Sequence, residues 1–265
     1  MQADLSFDLT RESSFSYSCN RCKKCCYNKG IRLSPYEVLR LARNLRLTTK
    51  EFISQFTDEG GTILRFRSED GGCSLLGEEG CTVHADRPGV CRIYPLGGFF
   101  QLEGQEKFAL LAPHPESLGV YGTPADFKPG DTVASFLDAQ GIAPYRRANQ
   151  RYVELLTRLV PLIAEYVTKQ PGNDNCEEPA SDGASQAGDE STGPSGDLRV
   201  AAVCSELEIA EWFDVDTVVK NYCLKENIPI PTDLDTQIEI HIRAMEEWAQ
   251  SVNNSADLPK ESPVE

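Results

Sequence analysis

The chain has 265 residues, 40% hydrophobic and 25% charged, which is ordinary for a soluble protein and long enough for one large domain or two small ones. Its formal charge of −15 is unevenly spread: residues 1–170 hold 20 acidic and 21 basic residues, whereas residues 171–265 hold 21 and 5. The acidity of the second part argues against nucleic-acid binding there, and the N-terminal "MQADLSFDLTRESSF" has no apolar run of the secretory kind.

Taken in chain order, "SPYEVLRLARNLRL" opens with Ser34, Pro35 and Glu37, a capping box with proline at the first helical position. Thr48 and Glu51 repeat the device, so a second short helix is expected at "TTKEFISQF". "TILRFR" at 62–67 has strand character, and "GGFFQLEG" with "QEKFALLAP" reads as a hairpin turning near Gly104. "DTVASFLDAQG" reads as a helix capped by Asp131 and ended by Gly141, and "PYRRANQRYVELLTRLVPLIAEYVTK" as a long helix kinked near Pro161.

Residues 171–198 are rich in Ser, Gly, Pro, Asp and Glu and too poor in apolar residues to offset their ordering entropy. They are expected to be a disordered acidic linker, with Cys176 a thiol of no assigned role, and 253–265 a disordered tail. Between them, 199–252 read as C-terminal helices packing back on a first domain at 1–170. In the last helix Ile238, Ile242, Met245 and Ala249 share a face. The fold class expected is helix-rich α+β: a small metal-organised cysteine-cluster core with a short β-hairpin or sheet and surrounding helices.

The chemistry lies in the cysteines. Cys19, Cys22, Cys25 and Cys26 form C-x2-C-x2-C-C, and Cys73, Cys81 and Cys91 follow in "CSLLGEEGCTVHADRPGVCRIYP". With no secretory signal and no stretch long enough to span a membrane, the chain is placed in the cytoplasm, where clustered cysteines point to metal ligands or redox groups rather than disulfides. A C-x2-C turn aims two sulfurs at one ion, and a C-x2-C-x2-C run suits the edge of an iron–sulfur cluster.

Seven thiolates are too many for one four-ligand site and one short of two. Two zinc ions with a bridging thiolate, one four-cysteine cluster with a smaller site, and one cluster with three spare thiols all fit the count. His84 and His114 are candidate eighth ligands. Arg87 and Arg92 are expected to offset thiolate charge, while Lys23 and Lys24 are expected to face water. Asp86, Glu78 and Glu79 lie near the ligands in sequence, and surface exposure accounts for them.

"CNRCKKCC" with "GCTVHADRPGVCRIYP" resembles the CxxCxxCC proteins, the YkgJ-type cysteine-cluster family, over roughly residues 19–95. The resemblance implies a zinc- or iron-chelating domain whose hallmarks are the seven cysteines, Arg87–Pro88, Cys91–Arg92 and Pro95. Many relatives carry a further cysteine downstream, where this chain reads "LAPHPESLGVYG". That draws attention to His114, with Cys204 and Cys223 as other candidates that read better as buried structural cysteines. A similar cluster in flagellin lysine N-methylases implies a link to lysine methylation, although no Gly-rich nucleotide motif is visible.

Three functions therefore stay open. One is a cluster-dependent oxidoreductase or modification enzyme, the slightly preferred cofactor being an iron–sulfur cluster and the alternative zinc. The second is a non-catalytic zinc-stabilised binding or assembly protein, and the third is metal storage, sensing or delivery. The expected partner is an unidentified protein or electron donor, with neither nucleic acid nor membrane involved.

Overall fold

The computed structural model describes residues 6–19, 22–100, 106–111, 120–121, 128–169 and 212–256. Seven α-helices are described: α1 Pro35–Leu45, α2 Thr49–Phe56, α3 Gly89–Ile93, α4 Val133–Ala139, α5 Ala143–Lys169, α6 Val215–Glu226 and α7 Leu234–Ala256. The strands form four separate antiparallel pairs. β1 (Tyr17–Ser18) pairs with β8 (Val120–Tyr121), β2 (Thr57–Asp58) with β3 (Ile63–Leu64), β4 (Leu76–Gly77) with β5 (Gly80–Cys81), and β6 (Leu96–Phe100) with β7 (Glu106–Leu110). The protein is thus helix-rich α+β.

Local sequence sets most helix starts. Ser34 and Glu37 close the capping box of α1, and Thr48 and Glu51 close that of α2. α4 differs from expectation by one residue. Thr132 in extended conformation is its cap and accepts from the Ser135 amide at 3.2 Å. Asp131 sits one position too early and instead accepts the Lys128 amide at 2.8 Å. The 62–67 segment is split among short partners: Ile63–Leu64 pair with Thr57–Asp58, Ile63 also bridges Arg32, and Phe66 bridges Cys73. The expected hairpin is β6–β7, with Phe99 opposite Lys107; its turn and Gly104 lie outside the described residues. α5 continues through Pro161 as one element.

Two apolar cores share α1 as a wall. Tyr36 and Leu39 face the larger core, with Ile93, Leu96, Phe108, Phe136, Tyr145, Leu155 and Leu159. Val38, Leu41 and Ala42 face a smaller one, with Leu33, Phe52, Leu64, Leu75 and Val83, against which Cys73 and Cys81 pack. Burying each such leucine or phenylalanine contributes roughly 1.5–3 kcal/mol. The C-terminal helices belong to the larger core, where Ile238, Ile242, Met245 and Ala249 are all buried. Polar contacts fix their docking. Thr49 Oγ1 donates to Asp214 at 2.5 Å, the Thr49 amide donates to Asp216 at 2.8 Å, and Arg43 reaches both Asp216 and Gln237. Cys223 lies in this apolar core, a packing residue. No helix among the described residues is long and apolar enough to cross a membrane.

His241 on α7 is fully buried. Its Nε2 is 2.8 Å from the Trp212 carbonyl, which can only accept, so Nε2 carries the proton and Nδ1 accepts from the Tyr152 hydroxyl at 2.9 Å. Burial pushes the imidazole down from 6.5 to about 4, against smaller upward pulls from the Trp212 carbonyl and Asp214. Above pH 6.5 the folded and unfolded chains both hold it neutral, and its contribution is complete. Between pH 6.5 and about 4 the unfolded chain takes up a proton that the folded one refuses, so stability falls with falling pH. The loss expected from this one group is about 3 kcal/mol. Urea unfolding across that window should show a steeper decline for the native protein than for His241→Gln, which cannot titrate; parallel declines would contradict the assignment.

Candidate metal centre

The first cysteine segment turns twice in a short distance. After β1 and the exposed Cys19, Lys23 adopts φ 68°, a 3-10 turn spans Lys24–Cys26, and Asn28 adopts φ 50°. The Cys26 amide closes the turn on the Lys23 carbonyl at 2.8 Å. The second segment is a series of hairpins. Arg67 grips Asp70 at 2.8 Å, and Asp70 Oδ1 accepts the Gly72 amide at 2.8 Å, so residues 67–72 reverse the chain into Cys73. The β4–β5 hairpin then carries Cys81, and α3 carries Cys91.

Backbone hydrogen bonds join the two segments. The Cys73 amide donates to the Cys26 carbonyl at 2.8 Å, and the Asn28 amide donates to the Gly71 carbonyl at 2.9 Å, with Tyr27 bridged to Gly72. The Lys23 ammonium donates to the Glu78 carbonyl, tying the first turn to the β4–β5 hairpin. Lys23 was expected to face water; that contact across 55 residues has no signature in local sequence.

The thiols also influence one another's ionisation. The eight described cysteines are all thiols. Cys25 and Cys26 stand 3.9 Å apart at sulfur, well beyond the about 2.05 Å of a disulfide. Within this pair Cys25 ionises first. With Cys26 as the donor of their shared contact, Lys29 and Arg87 favour the Cys25 thiolate, which pulls it down against the opposing cost of burial. Donating that hydrogen raises Cys26, and burial together with the charges of Cys25, Cys81 and Cys91 raises it further. Burial is also the main cause raising Cys73, Cys81 and Cys91, and their mutual proximity adds to it. Crowded thiols of this kind hold their protons until a cation compensates them.

The neighbouring residues brace this assembly. Arg87 donates to the His84 carbonyl at 2.6 Å and to Gln140 Oε1 at 2.6 Å while lying in the field of Cys19, Cys91 and Cys81. Arg87 is therefore a positive charge acting on thiols of both segments, whereas burial and Arg92 work against its charge. Arg92 is spent on carbonyls: those of Arg87 at 3.0 Å, Gln140 at 2.7 Å and Ala85. It stacks over Tyr145 with 4.5 Å to the ring centroid. Its role is to hold the loop that carries Cys91, rather than to offset thiolate charge directly.

Asp86 is committed to Arg40 and Asn44, and Glu78 and Glu79 are exposed. His84 begins a 3-10 turn with Nδ1 3.3 Å from Arg87 Nη1. His114, Cys176 and Cys204 lie outside the described residues.

One residue that local reading undervalues is Glu37. Beyond its cap, where Oε2 accepts from the Ser34 amide at 2.7 Å, its Oε1 accepts from the Gly89 amide at 2.7 Å. Glu37 thereby anchors the first turn of α3, two residues before Cys91. Burial pushes its carboxyl up, opposed by these hydrogen bonds. A Cβ at Gly89 would stand 3.3 Å from Glu37 Oε1, so only glycine gives the carboxylate this approach without adjustment. The sequence signal was available in part: a capping glutamate inside a buried helical face has a second oxygen that needs a donor.

The donor set suits zinc or iron, both of which bind soft thiolates, and the residues present therefore fit such a centre. Among the described residues, no three Cys, His, Asp or Glu side chains are placed as an ion would hold them. The backbone joins the segments that carry Cys26 and Cys73 without closing a coordination shell among the described residues.

Gly71 is the tightest point of the junction. It adopts φ +70°, and a Cβ there would fall 2.0 Å from Asn28 Oδ1. Gly71→Ala is expected to cost on the order of 1–2 kcal/mol for the left-handed backbone alone and to displace Asn28 as well. Metal retained after a chelator challenge, measured by elemental analysis, should fall relative to the native protein. Unchanged retention would show that this junction does not position the thiols.

No curated protein and no solved structure matches the chain. Residues 18–112 match the model of the CxxCxxCC family, described as "Putative zinc- or iron-chelating domain", which supports metal binding by this part of the chain.

Proposed function

We propose that Cys19, Cys22, Cys25, Cys26, Cys73, Cys81 and Cys91 bind zinc or iron as thiolates, and that the bound metal organises residues 18–95 as a metal-stabilised module. The observation that supports this reading is the backbone junction between residues 26–28 and 71–73, which joins Cys26 of the first group to Cys73 of the second. Energetics point the same way. Three of the four strand pairs are only two residues long, and the smaller core holds eight buried side chains. A module so lightly stapled gains stability from a metal, which in small thiolate domains contributes on the order of 10–16 kcal/mol of apparent binding energy. Such a module presents its surface to a protein partner in the reading adopted here.

A second reading, an iron–sulfur centre that passes electrons, draws on the surplus of thiols. Seven exceed the four that one structural ion requires.

Anaerobic purification followed by metal analysis tests both. The first reading predicts a protein with stoichiometric bound metal whose chelation loosens or unfolds residues 18–95. A brown protein with labile sulfide and a broad visible band would favour the second. A well-folded protein without thiolate-bound metal would contradict both. Cys26→Ser, at the junction, is expected to lower metal content by at least half, by the same analysis.

A further inference from the structure

Residues 8–18 form an arm that crosses three parts of the fold before it reaches Cys19. Leu9 exchanges both backbone hydrogen bonds with Phe108 of β7, at 3.0 and 2.9 Å. Further on, the Ala134 and Val133 amides at the start of α4 donate to the Arg11 and Ser13 carbonyls at 2.9 and 3.0 Å, and the Phe15 amide donates to the Asp131 carbonyl at 3.1 Å. β1 completes the arm by pairing with β8. Among residues 6–19 only the Phe15 side chain is buried, set edge-on to Phe136 with 4.9 Å between ring centroids.

The far end of the arm meets both cysteine segments. It runs directly into Cys19, and the Tyr17 ring packs edge-on against that of Tyr94 at 6.3 Å. Tyr94 caps the C-terminus of α3, the helix that carries Cys91.

We infer that residues 8–18 are a strap whose docking is coupled to metal on the thiols: metal held by Cys19 and Cys91 keeps the arm on β7 and α4, and loss of the metal releases it. This rests on the metal-centre reading above and carries it beyond residues 18–95, because Phe108, Asp131, Val133 and Ala134 all lie outside that module. One buried ring and a few backbone bonds hold a segment that regains its conformational freedom when it leaves. A segment so placed belongs to the parts of a fold that open locally. Fixing its Cys19 end, and the end of α3 on which Tyr17 rests, removes much of that freedom in advance. Release bares the β7 edge at Phe108 and the face of Phe136 that Phe15 covers, so the state of the thiols is read out on a surface remote from them in the chain.

Residue-resolved amide exchange of the full chain loaded with zinc(II), or anaerobically with iron(II), tests this before and after a chelator removes the metal. The expected result is exchange roughly 5–150-fold faster at the Leu9, Phe15 and Val133 amides after removal, the usual span of coupling between linked sites, with the buried α7 amides at Ile238 and Met245 unchanged. Such coupling is reciprocal. Phe15→Ala should therefore weaken metal binding by a similar factor in competition with a chromogenic chelator, although it removes no thiol.

Unchanged exchange along the arm, with the Asn28 and Cys73 amides accelerated, would overturn the strap and leave the metal-centre reading standing. Native affinity for the metal in a folded Phe15→Ala chain would overturn it equally. If the native chain binds neither zinc(II) nor iron(II), the metal-centre reading falls and the strap with it. The exchange measurement on the native chain needs no variant, so it decides the matter even where Phe15→Ala fails to fold.

Discussion

Two backbone hydrogen bonds, from Cys73 to Cys26 and from Asn28 to Gly71, are the constraint on which the rest of the centre depends. They join segments separated by 46 residues of intervening chain. Each bond contributes only about 1 kcal/mol net, so their role is to fix register more than to stabilise. Once residues 26–28 lie beside residues 71–73, the β4–β5 hairpin and α3 need only short connections to bring Cys81 and Cys91 to the same place.

α1 transmits this arrangement to the remainder of the protein. Along one helix, Glu37 holds the start of α3, Arg40 holds Asp86, and Arg43 holds Asp216 on α6. Its apolar residues divide between both cores. The loop that carries Cys91 and the C-terminal helices therefore rest on opposite ends of the same rigid element. Arg40 and Arg92 both stack over Tyr145, so α5 closes the same polar layer from the other side. Cys73 and Cys81 pack against the smaller core, and Cys91 is carried by the short helix α3.

What could be read in the sequence was what is decided within a few residues. The capping boxes at Ser34 and Thr48 are local devices, and the helices start where those residues say. The apolar face of α7 is equally local, with Ile238, Ile242, Met245 and Ala249 repeating at helical spacing. The cap of α4 was misplaced by one residue because Asp131 and Thr132 are both good caps and only backbone conformation chooses between them. The cysteine spacing marked the candidate site without revealing its bracing. Lys23 reaching Glu78, Arg92 spent on three carbonyls and Glu37 reaching Gly89 all depend on partners remote in the chain. A glutamate already explained by its cap, and lysines between cysteines, gave no reason to look for such partners.

Amide hydrogen exchange before and after metal removal tests the central claim most directly. If thiolates of both segments converge on bound metal, chelation should speed exchange at the Asn28 and Cys73 amides together, while the buried helical amides of α5 and α7 change far less. Exchange that accelerates in only one cysteine segment, or in neither, would contradict a shared metal centre.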